Sequence, residues 1–312
     1  MDLAAPARLP LDPRKFRDPA VTARGEPRAV VAPGRLRTLW FNTGTLCNLT
    51  CRTCYIESSP HNDRLAWLTA AEVRRYLDEA AALGTEQIGF TGGEPFMNPD
   101  LPEMLADVLG RGLDALVLTN AMRPMQRQRA RLLALRQPRL TLRVSLDHHT
   151  RGLHEAERGR RTWETAIDGL RWLADAGFSV HVAGRRWGAE PEAAARAGYA
   201  ALFAAIGVAV DAADPVALTL FPELDAAADV AEITTACWGL LHRRPEEMMC
   251  ASSRMVLRRR DAAAPAVVAC TLLPDDPQFE LGATLAAALR PVALNHPHCA
   301  RFCVLGGASC SR

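Results

Sequence analysis

The sequence predicts an α/β protein, a partial (β/α)6 TIM-like barrel followed by a small cysteine-rich C-terminal domain. Three observations carry this. Between residues 35 and 225 short apolar runs alternate with amphipathic helical stretches about six times, the pattern of a parallel sheet, and too few repeats to close an eight-fold barrel. An apolar fraction of 49% over 312 residues permits a substantial core. The nine cysteines are segregated, three at 47 to 54, none from 55 to 236 and six after that.

Residues 1–34 read as an N-terminal extension. Pro6, Pro10, Pro13, Pro19, Pro27 and Pro33 interrupt regular helix, and apolar periodicity begins only at Leu36. This stretch either packs across the barrel or stays disordered.

Residues 35–225 carry the strand and helix pairs. The first strand-like run is Thr38 to Phe41. Thr69 and Glu72 form a capping box, and Val73, Tyr76, Leu77 and Ala80 make a helical stripe ending at Gly84. A strand from Gln87 to Thr91 follows. The next helix starts near Asn98 or Asp100, buries Leu101, Met104, Leu105 and Val108, and stops at Gly112, ahead of a strand from Ala115 to Thr119. A third helix is expected over roughly Pro124 to Leu135, then a strand from Leu140 to Leu146. A fourth, capped at Thr162, presents Trp163, Ala166, Ile167 and Leu170 and ends at Gly177, before a strand from Phe178 to Ala183. A fifth covers about Pro191 to Ile206 and leads into a weaker strand, Val216 to Leu220.

In residues 226–312 the character changes. Asp225 to Thr235 reads as helix. Cys250 and Cys270 flank two strand-like runs, Arg254 to Arg260 and Ala266 to Ala269, and a hairpin there brings the two thiols together. Cys299, Cys303 and Cys310 follow.

The densest chemical signal is Cys47-Asn48-Leu49-Thr50-Cys51-Arg52-Thr53-Cys54-Tyr55, directly after the first strand. Three thiolates at this spacing can hold three corners of an iron-sulfur cube and leave the fourth iron open. Zinc is the competing occupant, but a closed zinc site needs a fourth ligand, and His61 alone is nearby. At these residues the chain resembles the radical S-adenosylmethionine (radical SAM) superfamily, whose loop motif has this spacing. One departure is Thr53, where an aromatic often precedes the third cysteine; Tyr55 follows that cysteine instead.

Thr91-Gly92-Gly93-Glu94-Pro95 ends the second strand, at the edge where parallel α/β sheets place active sites. Two glycines allow close backbone approach, and Glu94 can accept from an ammonium group. The resemblance implies that Gly92, Gly93 and Glu94 hold the methionine amine of S-adenosylmethionine. On the fourth strand Leu140, Leu142, Val144 and Leu146 face one way and Thr141, Arg143, Ser145 and Asp147 the other, which is the lumen of a helix-covered barrel. Ser145 and Asp147 thereby lie where the cofactor's ribose and carboxylate are expected. Arg185, or Arg186, is a candidate carboxylate ligand by its guanidinium fork, and Asn120 is a further lumen candidate. His154 and Arg158 match a His and Arg stretch of the family that shapes the cofactor pocket. His148 and His149 are candidate acids or bases toward substrate, and Cys237 a candidate hydrogen donor, each weighed against a structural role.

The C-terminal cysteines Cys250, Cys270, Cys299, Cys303 and Cys310 resemble the SPASM or twitch extension, with spacing that departs from its full pattern. That implies one auxiliary iron-sulfur cluster, since two with full cysteine ligation need eight thiols; zinc is the alternative. The function implied is reductive cleavage of S-adenosylmethionine at a [4Fe-4S] cluster to a 5'-deoxyadenosyl radical, which abstracts a hydrogen from a small metabolite or a peptide. An electron donor such as flavodoxin or ferredoxin is the implied partner. A non-catalytic iron-sulfur protein for electron transfer or redox sensing is the alternative, disfavoured by the Gly-Gly-Glu turn and the polar fourth strand.

Composition narrows the rest. A net charge of +2 gives no strong electrostatic case for nucleic acid or an anionic membrane. The N-terminal residues lack the apolar core of a signal peptide and no run is long enough to span a bilayer, so a cytoplasmic protein is expected. An odd number of cysteines agrees with metal ligation in a reducing compartment.

Overall fold

The computed structural model describes residues 9–222 and 224–309. In chain order these contain β1 (Val30–Val31), β2 (Thr38–Asn42), α1 (Ala70–Ala82), β3 (Gln87–Thr91), α2 (Leu101–Gly110), β4 (Asp114–Thr119), α3 (Arg123–Gln126), α4 (Arg129–Ala134) and β5 (Leu140–Ser145). There follow α5 (Arg151–Arg158), α6 (Trp163–Asp175), β6 (Ser179–Arg185), α7 (Glu192–Ile206), β7 (Leu218–Phe221), α8 (Cys237–Leu240), α9 (Met249–Ser252), β8 (Ser253–Leu257), β9 (Ala266–Val268), β10 (Glu280–Gly282), α10 (Leu285–Ala288) and β11 (Val292–Ala293).

β2 to β7 lie side by side in chain order and pair in parallel, the six-stranded open arc expected from the repeats. The arc does not close. Its β2 edge is extended instead by β8, in parallel, and then by the antiparallel β9 and β10. β8, β9 and β10, all from the stretch beyond residue 226, therefore share the main sheet. The hairpin between Cys250 and Cys270 is present, with Met255 opposite Val268 and Leu257 opposite Ala266.

The core follows the patterns that made the elements. Every residue of β2 is buried, and Phe41 stacks on Phe90 of β3 at 5.7 Å; each such side chain contributes about 2–3 kcal/mol on burial. The capping box of α1 is formed, Thr69 Oγ1 accepting from the Glu72 amide at 3.2 Å and Glu72 from the Thr69 amide at 2.8 Å. Its stripe of Val73, Tyr76, Leu77 and Ala80 is buried.

Several elements differ from expectation. The third helix comes as two short pieces, α3 and α4. Thr162 stands at the cap position of α6, but its hydroxyl donates to the Gly159 carbonyl at 2.7 Å and leaves the helix uncapped by a side chain. α5 was not anticipated. The 225–235 stretch forms no helix; its acids are paired with the N-terminal extension, Asp229 with Lys15 at 2.8 Å and Glu232 with the buried Arg28 at 2.6 Å. Bridges from Pro10 to Ala228 and from Arg28 to Thr234, with β1 on β11, fasten residues 9–34 across this segment. Among the described residues no helix is long and apolar enough to cross a membrane.

Candidate functional site

The C-terminal ends of β3 to β7 and the loop after β2 line a cleft with a cavity volume of about 170 Å³. Cys47, Cys51 and Cys54 all line it. Their loop is pinned at its start by the Cys47 amide on the Ser59 carbonyl at 3.0 Å, and two amides are directed at sulfur: Leu49 N to Cys47 Sγ and Ser58 N to Cys54 Sγ, both 3.4 Å. Burial pushes the Cys47 thiol up to about 12, with the Glu94 charge adding to it, and burial also raises Cys51. Thiolates there call for a cationic centre to offset their charge, which fits an iron-sulfur site. His61, the only histidine near enough in sequence to complete a zinc site, is exposed and does not line the cleft.

Gly92 and Gly93 line the cleft and also hold the cysteine loop in place. Gly93 donates to Gly44 O at 2.8 Å and Glu94 to Leu46 O at 3.1 Å. A Cβ on Gly93 would stand 2.1 Å from Leu46 O, and Gly92 sits at φ +143° with Gly44 O 2.6 Å from where its Cβ would be. The two backbones touch because neither residue has a side chain.

Glu94 lies behind the cleft wall. It is 2% exposed, and its carboxylate accepts from Phe96 N at 3.2 Å, Thr119 Oγ1 at 2.8 Å and Asn120 N at 2.8 Å. Burial raises it to about 7 against these hydrogen bonds. These three donors brace the side chain that is expected to meet an ammonium group, and one of the carboxylate's four acceptor sites remains. Asn120 and Ser145 do line the cleft, and Asn120 Nδ2 donates to Asn48 Oδ1 at 2.9 Å.

Asp147 and Arg185 both face the cleft, with Arg158 as a third member. Asp147 accepts from Arg185 Nε at 2.8 Å and from Arg158 Nε through its other oxygen. Burial opposes its charge, but the two guanidiniums hold it below the ordinary carboxylate range. Burial likewise opposes the charge on Arg158, and Asp147 and Cys51 outweigh it. Asp147 is thus a holder of arginines, because a carboxylate with both oxygens so engaged does not bind a second carboxylate. Arg185 Nη1 continues to Thr53 Oγ1, tying the strand β6 to the cysteine loop. Arg186 lines a neighbouring depression with Arg52 and Trp187.

The histidines fall elsewhere. β5 ends at Ser145, and the chain beyond Asp147 turns so that His149 packs edge-on against Tyr199 of α7 at 5.6 Å, while His148 Nε2 lies 3.3 Å from Glu190. Neither lines the cleft, so the acid–base role expected of them has no contact there. His154 is fully buried against Trp163. Cys237 sits on α8 with Sγ 3.4 Å from Thr234 Oγ1, also away from the cleft lining.

Four C-terminal cysteines, Cys250, Cys270, Cys299 and Cys303, converge on a small apolar cavity. Burial first, then the thiols of Cys270, Cys250 and Cys303, raise Cys299. Cys310 lies outside the described residues. Leu272 lines both this cavity and the cleft. The cleft's far end is apolar, built by Phe221 and Phe302 with ring centroids 5.4 Å apart. Sequence reasoning missed these two. The signal was present, Phe221 ending a strand at the active edge and Phe302 adjoining Cys303.

The radical SAM superfamily model matches residues 41–189. AlbA of Bacillus subtilis (strain 168), an antilisterial bacteriocin subtilosin biosynthesis protein, is 30% identical over 138 residues, 44% of this chain and 30% of the relative. The GTP 3',8-cyclase of Marinobacter nauticus is 31% identical over 134 residues, 42% of this chain and 39% of the relative. The chain thus spans less than half the length of these curated relatives. Among solved structures, Streptococcus suis SuiB bound to S-adenosylmethionine superposes with a TM-score of 0.59 at 13% identity, covering 81% of this chain and 64% of that one. The anSMEcpe structure with bound AdoMet and a peptide gives 0.54 at 15% identity, covering 80% and 79%. Those two likenesses show a shared fold.

Proposed function

We propose that this chain is a radical SAM enzyme that binds S-adenosylmethionine at a [4Fe-4S] cluster and acts on a small metabolite or a peptide, a reading supported by the match of the radical SAM superfamily model to residues 41–189. Bound there, the pair supplies one-electron cleavage of the sulfonium and a carbon radical that abstracts hydrogen. The observation that carries this reading is the meeting of Cys47, Cys51, Cys54, Gly92, Gly93, Asn120, Ser145 and Arg185 around one cleft.

The roles follow from chemistry at each position. Cys47, Cys51 and Cys54 would hold three irons of the cluster. Carbonyls at Gly92 and Gly93 would accept from the methionine amine. Arg185, its Nε on Asp147 and its Nη1 on Thr53, would offer its remaining N–H groups to the methionine carboxylate, and Ser145 and Asn120 would offer hydrogen bonds to the ribose. Glu94 keeps Thr119 and Asn120 in register behind them. Leu49, Tyr55 and Leu118 close the sides of the cleft against water. The Phe221 and Phe302 end receives an apolar part of the substrate.

Cys250, Cys270, Cys299 and Cys303 are assigned to one auxiliary iron-sulfur cluster, with Leu272 the single side chain among the described residues shared between that cavity and the cleft. Its place beside the apolar end suits an acceptor for the electron left on substrate after hydrogen abstraction. A flavodoxin or ferredoxin is the electron donor in this scheme.

Electron paramagnetic resonance of the reconstituted, reduced protein tests the assignment without turnover. Addition of S-adenosylmethionine should shift the signal of the Cys47–Cys51–Cys54 centre, and Arg185→Ala should weaken the shift. A spectrum insensitive to S-adenosylmethionine would overturn the reading.

A further inference from the structure

Two histidines and a glutamate meet just beyond the residues that pair Asp147 with Arg185. His148 and His149 follow Asp147 in the chain, and Glu190 comes from the loop between β6 and α7. One ligand atom from each of the three lies within 4.8 Å of the other two. None of them lines the cleft, and no thiol takes part.

The fold makes room for this meeting. Glycine inside a helix costs roughly 1 kcal/mol against alanine, yet α7 carries Gly198, where a Cβ would stand 2.4 Å from His149 Nε2 and 2.5 Å from both neighbouring ring carbons. The Nε2 edge of His149 is therefore seated on the helix, and Nδ1 is the nitrogen left over. That atom is buried and, among the described residues, has no hydrogen-bond partner. A buried polar atom without a partner costs about 1–3 kcal/mol. A bound cation would offset it.

His148 is 3% exposed, and its Nδ1 lies 2.8 Å from Thr150 Oγ1. In one tautomer Nδ1–H donates to that hydroxyl and Nε2 keeps its lone pair, the outer contact that orients a ligating imidazole. In the other, Nδ1 accepts from the Thr150 amide at 2.9 Å and Nε2–H donates to Glu190. A cation between Nε2 and the carboxylate selects the first. His148 Nε2 and Glu190 Oε2 are 3.3 Å apart, the separation of two ligands on a tetrahedral ion with bonds of about 2.0–2.1 Å. His149 closes the remaining gap by opening its tilted stack on His148, where the ring centroids are 4.0 Å apart at 32°.

We propose that His148, His149 and Glu190 form a metal site separate from the cysteine centres, binding one divalent ion of the zinc class through two neutral imidazoles and a carboxylate, with a fourth position for water. The ion ties the segment after β5 to the loop ahead of α7. Those two segments already meet at Asp147, whose carbonyl accepts from the Arg185 amide at 3.0 Å and from Trp187 Nε1 at 3.1 Å. Metal binding thereby braces the backbone that presents Asp147 and Arg185 to the cleft.

The test is zinc titration of the anaerobically reconstituted, desalted parent and of two variants, Glu190→Gln and His149→Asn. Glu190→Gln changes a loop residue to one of equal size and so keeps the fold. X-ray absorption at the zinc edge should show one equivalent per chain with a nitrogen and oxygen shell at about 2.0–2.1 Å and imidazole scattering beyond it. Affinity for that equivalent should fall on the order of tenfold or more in each variant, as for loss of one ligand group. Zinc should raise the melting temperature of the parent and leave that of the variants unchanged. Zinc held only by sulfur at about 2.3 Å, no zinc bound by the parent, or a nitrogen and oxygen equivalent kept at full affinity by both variants would each overturn the inference. None of these readouts needs S-adenosylmethionine or turnover, so the metal site stands or falls apart from the function proposed above.

Discussion

Glu157, at the end of α5, accepts hydrogen bonds from both the amide and the hydroxyl of Thr53, at 2.9 and 2.8 Å, and so clamps the cysteine loop between its second and third thiols. The Arg52 amide adds a bond to the Glu157 carbonyl at 2.9 Å. Thr53 stands where the family often has an aromatic residue, and this tether gives the smaller side chain its own means of holding the loop.

Glu157→Ala should therefore loosen the loop and lower stability by about 2 kcal/mol, the scale of hydrogen bonds to a buried charge. Iron should be lost to a chelator faster than in the parent. Thr53→Val, which removes the hydroxyl and keeps the amide, should show a smaller effect. Chelation rates followed by absorbance check both, and equal rates in all three proteins would refute the clamp.

Asp147 is the sole carboxylate bonded to both Arg158 and Arg185. Asp147→Asn leaves Arg158 without a carboxylate partner among the described residues and Arg185 with only Glu157, 3.6 Å from its Nη2, and breaking a buried pair of this kind costs about 3–5 kcal/mol. Urea denaturation of the metal-free chain measures it. A loss below about 1 kcal/mol, the value of an exposed pair, would show that solvent screens the arginines.

His154 makes stability depend on pH. Burial, with Arg158 adding to it, lowers it from 6.5 to about 4, and neither ring nitrogen has a hydrogen-bond partner. Between those values the unfolded chain binds a proton that the folded chain does not, so stability falls as pH drops from 6.5 towards 4. Glu94, raised from 4.5 to about 7, acts in the opposite sense, losing stability as pH rises through its own window. The informative quantity is the difference between the parent and His154→Leu. The parent should lose on the order of 2–3 kcal/mol relative to the variant over the window; parallel curves would contradict the prediction.

Cys299 sits among three other thiols, so Cys299→Ala should remove the auxiliary iron and leave that of Cys47, Cys51 and Cys54, roughly halving iron per chain if both are cubes. The apolar cavity should survive the substitution, since its wall is otherwise unchanged. Unaltered iron content would remove the auxiliary-cluster assignment.

Local patterns were legible where local physics decides. The Leu140, Leu142, Val144 alternation marked β5 and its inward face, and the Thr69–Glu72 box marked the start of α1. The three-cysteine spacing located the cleft. The alanine-rich Asp225 to Thr235 stretch reads as helix by propensity, yet Lys15 and Arg28, more than 200 residues earlier in the chain, draw its acids into an extended path. His148 and His149 lie just past a strand whose end, not its pattern, decides where they point. The Thr53–Glu157 clamp joins residues 104 apart in sequence and has no local signature. The bracing of Glu94 by Phe96, Thr119 and Asn120 has no signature in the Gly-Gly-Glu motif, which shows which residue is present but not what its carboxylate bonds.

The most direct measurement of the central claim is 5'-deoxyadenosine by mass spectrometry after anaerobic reconstitution with iron and sulfide and addition of S-adenosylmethionine and dithionite. The account predicts the product from the parent chain and none from a variant with Cys47→Ala, Cys51→Ala and Cys54→Ala. Its absence from parent protein shown to hold a reducible cluster would contradict the account and favour an electron-transfer role for the same thiols.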